Sequence, residues 1–301
     1  MTSLNYKIAL MAGTLYVVAT PIGNLEDITL RALRVLKEVD VVAAEDTRRT
    51  LKLLNHYGIS KPLVSVREHN EVKEAARLVS RIERGEDIAL VSDAGTPGIA
   101  DPGAKVVHAA RLAGIAVTAV PGPCALVAAL SISGMEVDQF TFAGFPPAGL
   151  KARREWLREL MHEERAIVFY ESPHRIESTL EVMRKLVERP IYVLRELTKI
   201  HEGLVIHTNN AFESGKSIPE QVNLGEFVVI VQPIGSGQAS DGLSKVDMDS
   251  IVRLNERIIG IGGIDQNGAA LATAGALGIH VRSVRKALKL ARYLENAQDR
   301  S

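Results

Sequence analysis

The stretch IALVSDAGTPGIADPG (88–103) decides how the chain is read. Its opening, IALVS (88–92), is a short apolar run of the kind that forms a strand buried on both faces. SDAGTPGIADPG (92–103) then packs three glycines and two prolines into twelve residues. Glycine tolerates positive φ and lets a ligand approach the main chain, and proline stiffens the path. The reading is a rigid loop with exposed N–H and C=O groups. Asp101 followed by Pro102 is a favourable start signal, so Asp101 is expected to cap a helix. The loop is not a P-loop, because no Gly-Lys-Ser/Thr follows, and it lacks the dinucleotide fingerprint.

Outward from this stretch the strand–loop–helix unit repeats. LYVVA (15–19), DVVAAE (40–45), LVSV (63–66) and AVTAV (116–120) read as further strands. Between them lie helical patterns at 28–39, capped by Asp27, at 47–57, ended by Gly58, and at 71–84, stopped by Gly85. This alternation predicts an α/β domain with a mostly parallel sheet. PGP (121–123) breaks the rhythm and begins a hinge. A second α/β unit follows, with strands near 140–143, 166–170, 191–195, 204–207 and 226–231 and helices near 150–163 and 173–187. Its later strands crowd together with fewer helices between them, so this sheet should be mixed. The expected layout is a first domain over 13–123 and a second over 124–233. A Gly/Ser-rich linker (234–244) and a small helical region (246–301) complete it. In that region VRSVRKALKLARYL (281–294) places Arg282, Arg285, Lys286, Lys289 and Arg292 at helical spacing, with Val281, Val284 and Leu288 mainly on another side. GIGGID (260–265) has Asp265 where a dinucleotide loop needs its last glycine, and is assigned to loop.

Composition narrows the function classes. With 301 residues, 46% hydrophobic and 24% charged, the chain has globular composition and is not disordered throughout. One cysteine, Cys124, excludes a disulfide scaffold and suits a reducing, cytoplasmic compartment. Lys and Arg total 36, as do Asp and Glu, which excludes a uniformly basic nucleic-acid coat but not a local basic patch. Aromatic residues at 4% speak against a base-stacking platform. Lys7 and the apolar run from Ile8 to Ala19 imitate a signal peptide, but Gly13 and Thr14 interrupt the run. A short leader followed by the first strand is expected instead. No run reaches the ~18 apolar residues of a membrane span. The eight histidines are scattered without metal-ligand spacing, so no metal is expected.

Ligands of open α/β sheets bind beyond the carboxyl ends of the strands. Four loops qualify: TPIGNLEDIT (20–29), EDTRRT (45–50), SDAGTPGIADPG (92–103) and PGPCAL (121–126). Together with FYESPHR (169–175) and RELTK (195–199), they resemble, in the correct order and over about residues 13–233, the tetrapyrrole methylase family of S-adenosylmethionine-dependent enzymes. EDTRRT and FYESPHR favour its ribosomal-RNA-modifying branch over the porphyrin-modifying members. The resemblance implies two α/β domains with S-adenosyl-L-methionine folded in the cleft between them, and a homodimer. It also implies methylation of a cytidine ribose 2′-hydroxyl in 16S rRNA, near the decoding centre of the assembled small ribosomal subunit. Carried over by position, the cofactor should meet Pro21 and Ile22, Asp93, Ala94, Gly95 and Thr96, Cys124 and Ala125, Tyr170, and Gly225. Cys124 stands where the family usually has serine, which exchanges a good hydrogen-bond donor for a weak one. The chain after 233 resembles the family only loosely.

Methyl transfer from a sulfonium depends mainly on alignment, and a base would help an alcohol acceptor. Glu45, Asp46, Glu171, His174 and Lys199 are the candidate bases. The substrate side of the cleft is expected to carry Glu45, Asp46, Arg48, Glu171, His174 and Arg175. Arg48, Arg49, Arg175 and Arg195 are candidates for holding phosphates, with the basic helix at 282–292 as a second anchor. A small-molecule methylase and a non-catalytic RNA-binding assembly factor stay open as alternatives.

Overall fold

A computed structural model describes residues 12–187, 189–200, 202–207, 225–234, 248–260, 265–277, 284, 285 and 287–289. Its first layer is a parallel sheet made by β1 (Thr14–Val18), β2 (Val41–Ala44), β3 (Leu63–Ser65), β4 (Ile88–Val91) and β5 (Ala116–Val120), in the order β3-β2-β4-β1-β5. Helices α1 (Leu30–Glu38), α2 (Thr47–His56), α3 (Glu71–Glu83) and α4 (Ala104–Leu112) connect the strands. Alternation along each strand sends side chains to two cores. Val18, Val42, Ala44 and Val91 pack against Ala32, Val35 and Leu36 of α1 and Leu53 and Leu54 of α2. Leu15, Val41, Ala43, Ile88 and Leu90 face Ala75, Leu78 and Ile82 of α3 and Val106 and Ala110 of α4. Helices on both faces explain why β2 and β4 are buried along their whole length and read as unbroken apolar runs.

The second sheet is mixed, as its crowded strands suggest. It comprises β6 (Phe140–Phe142), β7 (Ala166–Glu171), β8 (Ile191–Arg195), β9 (Gly203–His207) and β10 (Phe227–Val231) in the order β6-β7-β10-β8-β9. Only β6 and β7 run parallel; the other pairs are antiparallel. One face, through Ile167, Phe169, Val193 and Val229, packs on α6 (Leu150–Leu160) and α7 (Ile176–Arg184). The opposite face, through Val168, Leu194, Val228 and Ile230, covers Leu126 and Ala129 of α5 (Ala125–Ile132) together with Ile22 from the first lobe. This last cluster joins the two lobes.

Three sequence expectations are corrected. Asp27 does not cap a helix: it lies in a 3-10 turn over 25–27, and α1 begins two residues after the expected start. Thr29 is the cap, because its hydroxyl oxygen accepts from the Ala32 N–H at 3.0 Å. Asp101 does not cap α4. Gly103 holds the cap position, and Glu71 of α3 accepts from the Gly103 and Lys105 N–H groups at 2.8 and 2.9 Å. A carboxylate from a neighbouring helix has replaced the local cap. Finally, the loop expected over PGPCAL (121–126) ends early, because a helix that the sequence reading did not assign runs over ALVAALSI (125–132). Its uniform apolarity carries no 3.6-residue signal.

After the second sheet, α8 (Met248–Gly260) and α9 (Gln266–Leu277) pack as a pair through Ile251, Ala270 and Ala274. Val284 and Ala287 join that cluster, so the apolar side of the basic segment is buried, while Arg285 and Lys289 are exposed. Arg282, Lys286 and Arg292 lie outside the described residues, as do residues 261–264 of GIGGID, residues 235–244 of the linker and the first eleven residues.

Glu71 is 4% exposed and its carboxylate satisfies two N–H groups at the start of α4. Glu71→Ala strands those donors in a buried place, and urea unfolding should show a loss of about 1–3 kcal/mol.

Candidate active site

β1 and β4 are neighbours whose chains leave in opposite directions. From β1 the chain passes to α1 on one face of the sheet, and from β4 it passes to α4 on the other. A crevice therefore opens beyond their carboxyl ends, the switch-point position of an open α/β sheet. The two loops that border it are sewn together. The Thr20 N–H donates to the Gly95 carbonyl at 2.8 Å, and the Gly95 N–H donates to the Thr20 carbonyl at 3.0 Å. The Thr20 hydroxyl donates to the Ser92 carbonyl at 3.2 Å, and the Thr96 hydroxyl to the Pro123 carbonyl at 3.3 Å. The second loop is attached through Asp93, whose carboxylate accepts from the Asp46 N–H at 2.8 Å and pairs with Arg49 at 3.4 Å.

Against this floor the second sheet closes a cavity of about 430 Å³, within the ~300–1,000 Å³ of small-molecule sites. Ile22, Ala125, Leu197 and Val228 give it apolar walls, and Tyr170 and Phe145, with ring centres 5.4 Å apart, close one side. The Tyr170 oxygen accepts from the Leu126 N–H at 3.2 Å, and burial pushes its phenol well above the usual range. Five acidic residues, Glu45, Asp93, Asp101, Glu171 and Glu226, line it together with two cations, Arg49 and Lys199. Burial, then the Asp93 charge, raises Glu45. Burial, then the Glu45 charge, raises Asp101 to about 6. Burial works against the Lys199 ammonium, but Glu196 at 2.9 Å and Glu226 at 3.5 Å outweigh it and hold its pKa above the usual value.

Of the residues singled out in the sequence, the structure gathers Ile22, Glu45, Asp93, Ala94, Gly95, Thr96, Cys124, Ala125, Tyr170 and Glu171 at this cavity. Others stand elsewhere for identifiable reasons. Pro21 lines a smaller cavity of about 160 Å³ on the far side of the Arg49–Asp93 pair. Gly225 (φ +111°) is a close-approach position, since a Cβ there would sit 2.5 Å from the Glu196 carboxylate. Asp46 caps α2: it accepts from the Arg48 N–H at 2.9 Å and pairs with the Arg48 guanidinium at 2.7 Å, and these hydrogen bonds hold its carboxyl well below the carboxylate range. The Glu171 side chain is fully buried and spent on the Thr179 hydroxyl at 2.7 Å, the Ser172 N–H at 2.7 Å and Arg175 at 3.0 Å. Arg175 also donates to the Pro146 carbonyl at 3.2 Å, which leaves it a structural brace. His174 is exposed and outside the cavity lining.

Sequence reasoning did not place Asp101, Phe145, Leu197 or Glu226 at the site. The Gly/Pro density around Asp101 was the signal available for it, and helix-cap chemistry outweighed that signal. Leu197 lies within RELTK, Phe145 just after the expected strand at 140–143 and Glu226 at the start of that at 226–231, yet they reach the cavity only because the second sheet docks on α5. Among the described residues, no group of three or more His, Cys, Asp or Glu is placed to hold a metal ion.

A parallel and a mixed sheet joined across a loop-floored cavity define a two-lobed α/β methylase. The family model for Tetrapyrrole (Corrin/Porphyrin) Methylases matches residues 14–211. A ribosomal RNA small subunit methyltransferase I of Xylella fastidiosa (strain Temecula1) is 48% identical over 78% of this chain and 85% of its own. That of Pseudomonas aeruginosa is 43% identical over 92% of this chain and 95% of its own. Among solved structures, the methyltransferase CobJ aligns with a TM-score of 0.56 at 19% identity, covering 74% of this chain and 95% of its own. The chain belongs to the ribosomal RNA small subunit methyltransferase I family of tetrapyrrole methylases. It is an S-adenosylmethionine-dependent methyltransferase.

Cys124 is the cap residue of α5 and makes no side-chain cap hydrogen bond. Cys124→Ser supplies an oxygen acceptor for the first turn, in which the Leu126 N–H already donates to the Tyr170 oxygen. Thermal and urea unfolding should show a gain of about 0.5–2 kcal/mol.

Proposed function

We propose that this chain methylates the ribose 2′-hydroxyl of a cytidine in the 16S rRNA of the small ribosomal subunit, near the decoding centre. The observation that carries this reading is the acid-lined interlobe cavity with arginines at its rim. The chemistry of the cavity fits S-adenosylmethionine. Its carboxylates suit an ammonium, a sulfonium and a ribose diol, its apolar walls suit an adenine, and residues 93–96 line its floor. Ile22, Asp93, Ala94, Gly95, Thr96, Cys124, Ala125 and Tyr170 would hold the donor, with Leu197 and Val228 beside them. Bound there, the donor supplies a methyl carbon already activated by sulfur.

The chain's own part is alignment and charge. The paired loops fix the cavity floor, so the acceptor meets a preset geometry rather than one it must organise. Glu45, Asp93, Asp101 and Glu226 disfavour a tetrapyrrole that brings several carboxylates into the cleft. A ribose hydroxyl is neutral and enters without that penalty. The phosphates on either side of it stay at the rim, where Arg48, 82% exposed, and Arg49, 64% exposed, can reach them. The division into lobes over 13–123 and 124–233 and a helical region over 246–301 belongs to this reading, as do a homodimer and a cytoplasmic location. Among the described residues no helix is long and apolar enough to cross a membrane. The basic segment at 282–292 would add phosphate affinity without selecting the nucleotide.

Small subunits, free 16S rRNA and a carboxylated porphyrinoid, each incubated with labelled donor, test the reading. Label should enter 16S rRNA only, and mass spectrometry of fragments should place one methyl group on a cytidine ribose, where it blocks alkaline cleavage of the adjoining linkage. Label in the porphyrinoid alone, or no heat on titrating the donor into the protein, would refute it.

A further inference from the structure

We propose that the smaller cavity behind the Arg49–Asp93 pair is a second RNA subsite, which takes the single-ring base of the unpaired nucleotide next to the methylated cytidine. The inference rests on the rRNA-methylation reading above and adds how the chain would recognise the surroundings of its target. The cavity holds about 160 Å³. Pro21 and Leu25 of the first loop line one side, and Arg49, Thr50, Lys52 and Leu53 of α2 line the other. Leu25, Thr50 and Lys52 take no part in the donor cavity. Arg49 and Asp93 line both cavities, so a single ion pair at 3.4 Å is the wall between them. Consecutive nucleotides of a single strand can be splayed apart by a protein. A wall one ion pair thick lets the target face the donor while its neighbour enters the second cavity.

Thr50 marks the cavity as built for a ligand. It is 4% exposed, and among the described residues its hydroxyl meets no hydrogen-bond partner. A buried hydroxyl left unmatched costs free energy. Its oxygen is not sealed off, for the sealed and unpartnered polar side-chain atoms among the described residues belong to Asp27 and Arg153. Thr50 lines the cavity, so the cavity is where a partner for that hydroxyl would come from. The walls are set before anything enters. The Tyr57 hydroxyl, at the end of α2, donates to the Leu25 carbonyl and ties the 3-10 turn of the first loop to the helix. Thr20, 2% exposed, is held from the other direction by the Ser92 carbonyl. Leu53, 9% exposed, is the inner wall, and Leu25, 39% exposed, is the lip.

Size and chemistry select the occupant. The volume is close to the ~150 Å³ of an engineered cavity that holds one benzene ring. A pyrimidine fits it, and a whole nucleotide does not. Pro21, Leu25 and Leu53 suit the faces of a flat ring, and a threonine hydroxyl can donate to its edge or accept from it. A phosphate inside would give up its water to three apolar side chains and would face the Asp93 carboxylate. It belongs at the mouth, where Arg49 and Lys52 are exposed. An unstacked base drawn into a pocket and read on its edge, with its phosphate held by cations outside, is the arrangement by which proteins recognise single-stranded RNA in sequence.

The test uses the full-length protein on small ribosomal subunits. Mass spectrometry first places the methyl group that wild type adds. A product other than a cytidine ribose fails the underlying reading, and this shows before any variant is compared. Lys52→p-azidophenylalanine then puts a photoreactive group at the cavity mouth, and primer extension maps its crosslink to 16S rRNA. The crosslink should fall on a pyrimidine directly beside the methylated cytidine. Thr50→Val keeps the side-chain shape and removes the hydroxyl, so KM for small subunits should rise about 2–10-fold, the loss of one hydrogen bond. Thr50→Ser should restore it. Leu25→Trp fills the cavity from its lip and should raise KM by about tenfold or more, as expulsion of one stacked base does. Donor affinity by calorimetry should hold in all three, because neither residue lines the donor cavity. Melting curves identify a variant that does not fold, and the photoreactive protein decides independently of it. Three results overturn the subsite: a crosslink that is absent or maps away from the neighbours of the methylated cytidine, Thr50→Val and Leu25→Trp both within about twofold of wild-type KM, or a rise in KM matched by an equal loss of donor affinity.

Discussion

Two backbone hydrogen bonds between Thr20 and Gly95 hold the site in register. They bridge the loops that leave the adjacent strands β1 and β4 for opposite faces of the sheet, which would otherwise diverge. With that bridge made, Ile22 is carried forward into the interlobe cluster, and Thr96 reaches the carbonyl of Pro123 just before α5. The cavity floor, the docking of the second sheet and the position of α5 follow from one short antiparallel contact. Loop geometry fixed by main-chain pairing suits a methyltransferase, because alignment of donor and acceptor is most of what the protein must contribute.

The second sheet reaches the same floor from the other side. Lys199, on the loop after β8, lies so close over Gly23 that a Cβ there would be 2.5 Å from the lysine Cγ. The Thr198 hydroxyl accepts from the Asn24 N–H at 3.2 Å. Glu196 and Thr198 adopt φ of +51° and +66°, conformations that non-glycine residues hold only where packing imposes them. The RELTK motif is therefore a strap across the lobes. It also explains the lysine's chemistry: fastened between two glutamates, it contributes a fixed positive charge rather than a proton acceptor.

The electrostatics of the cavity divide the carboxylates by neighbourhood. Asp46 and Glu171 sit a few residues along the chain from arginines that claim them. Glu45 and Asp101 face other acids across the cavity and are pushed the opposite way. Residues of one chemical type thus separate into caps, braces and cavity-facing acids whose ionisation their neighbours resist, through what surrounds them.

The amino-acid sequence determined the alternation of strands and helices, the parallel first sheet, the mixed second sheet and the four loops at the strand ends, because hydrophobic period and Gly/Pro punctuation are local properties. It also carried most of the cavity lining, since those motifs lie on the loops themselves. Tertiary structure alone decided which acids face the cleft. Asp101 reads locally as a helix cap, and only Glu71, thirty residues earlier in the chain but adjacent in space, releases it from that duty. Likewise Glu171 and Arg175 read as catalytic until Thr179 and the Pro146 carbonyl are seen to occupy them. The reason is physical: a side chain's free energy of ionisation and its availability depend on burial and on partners within a few ångströms, and the folded chain, not the order of residues, sets both.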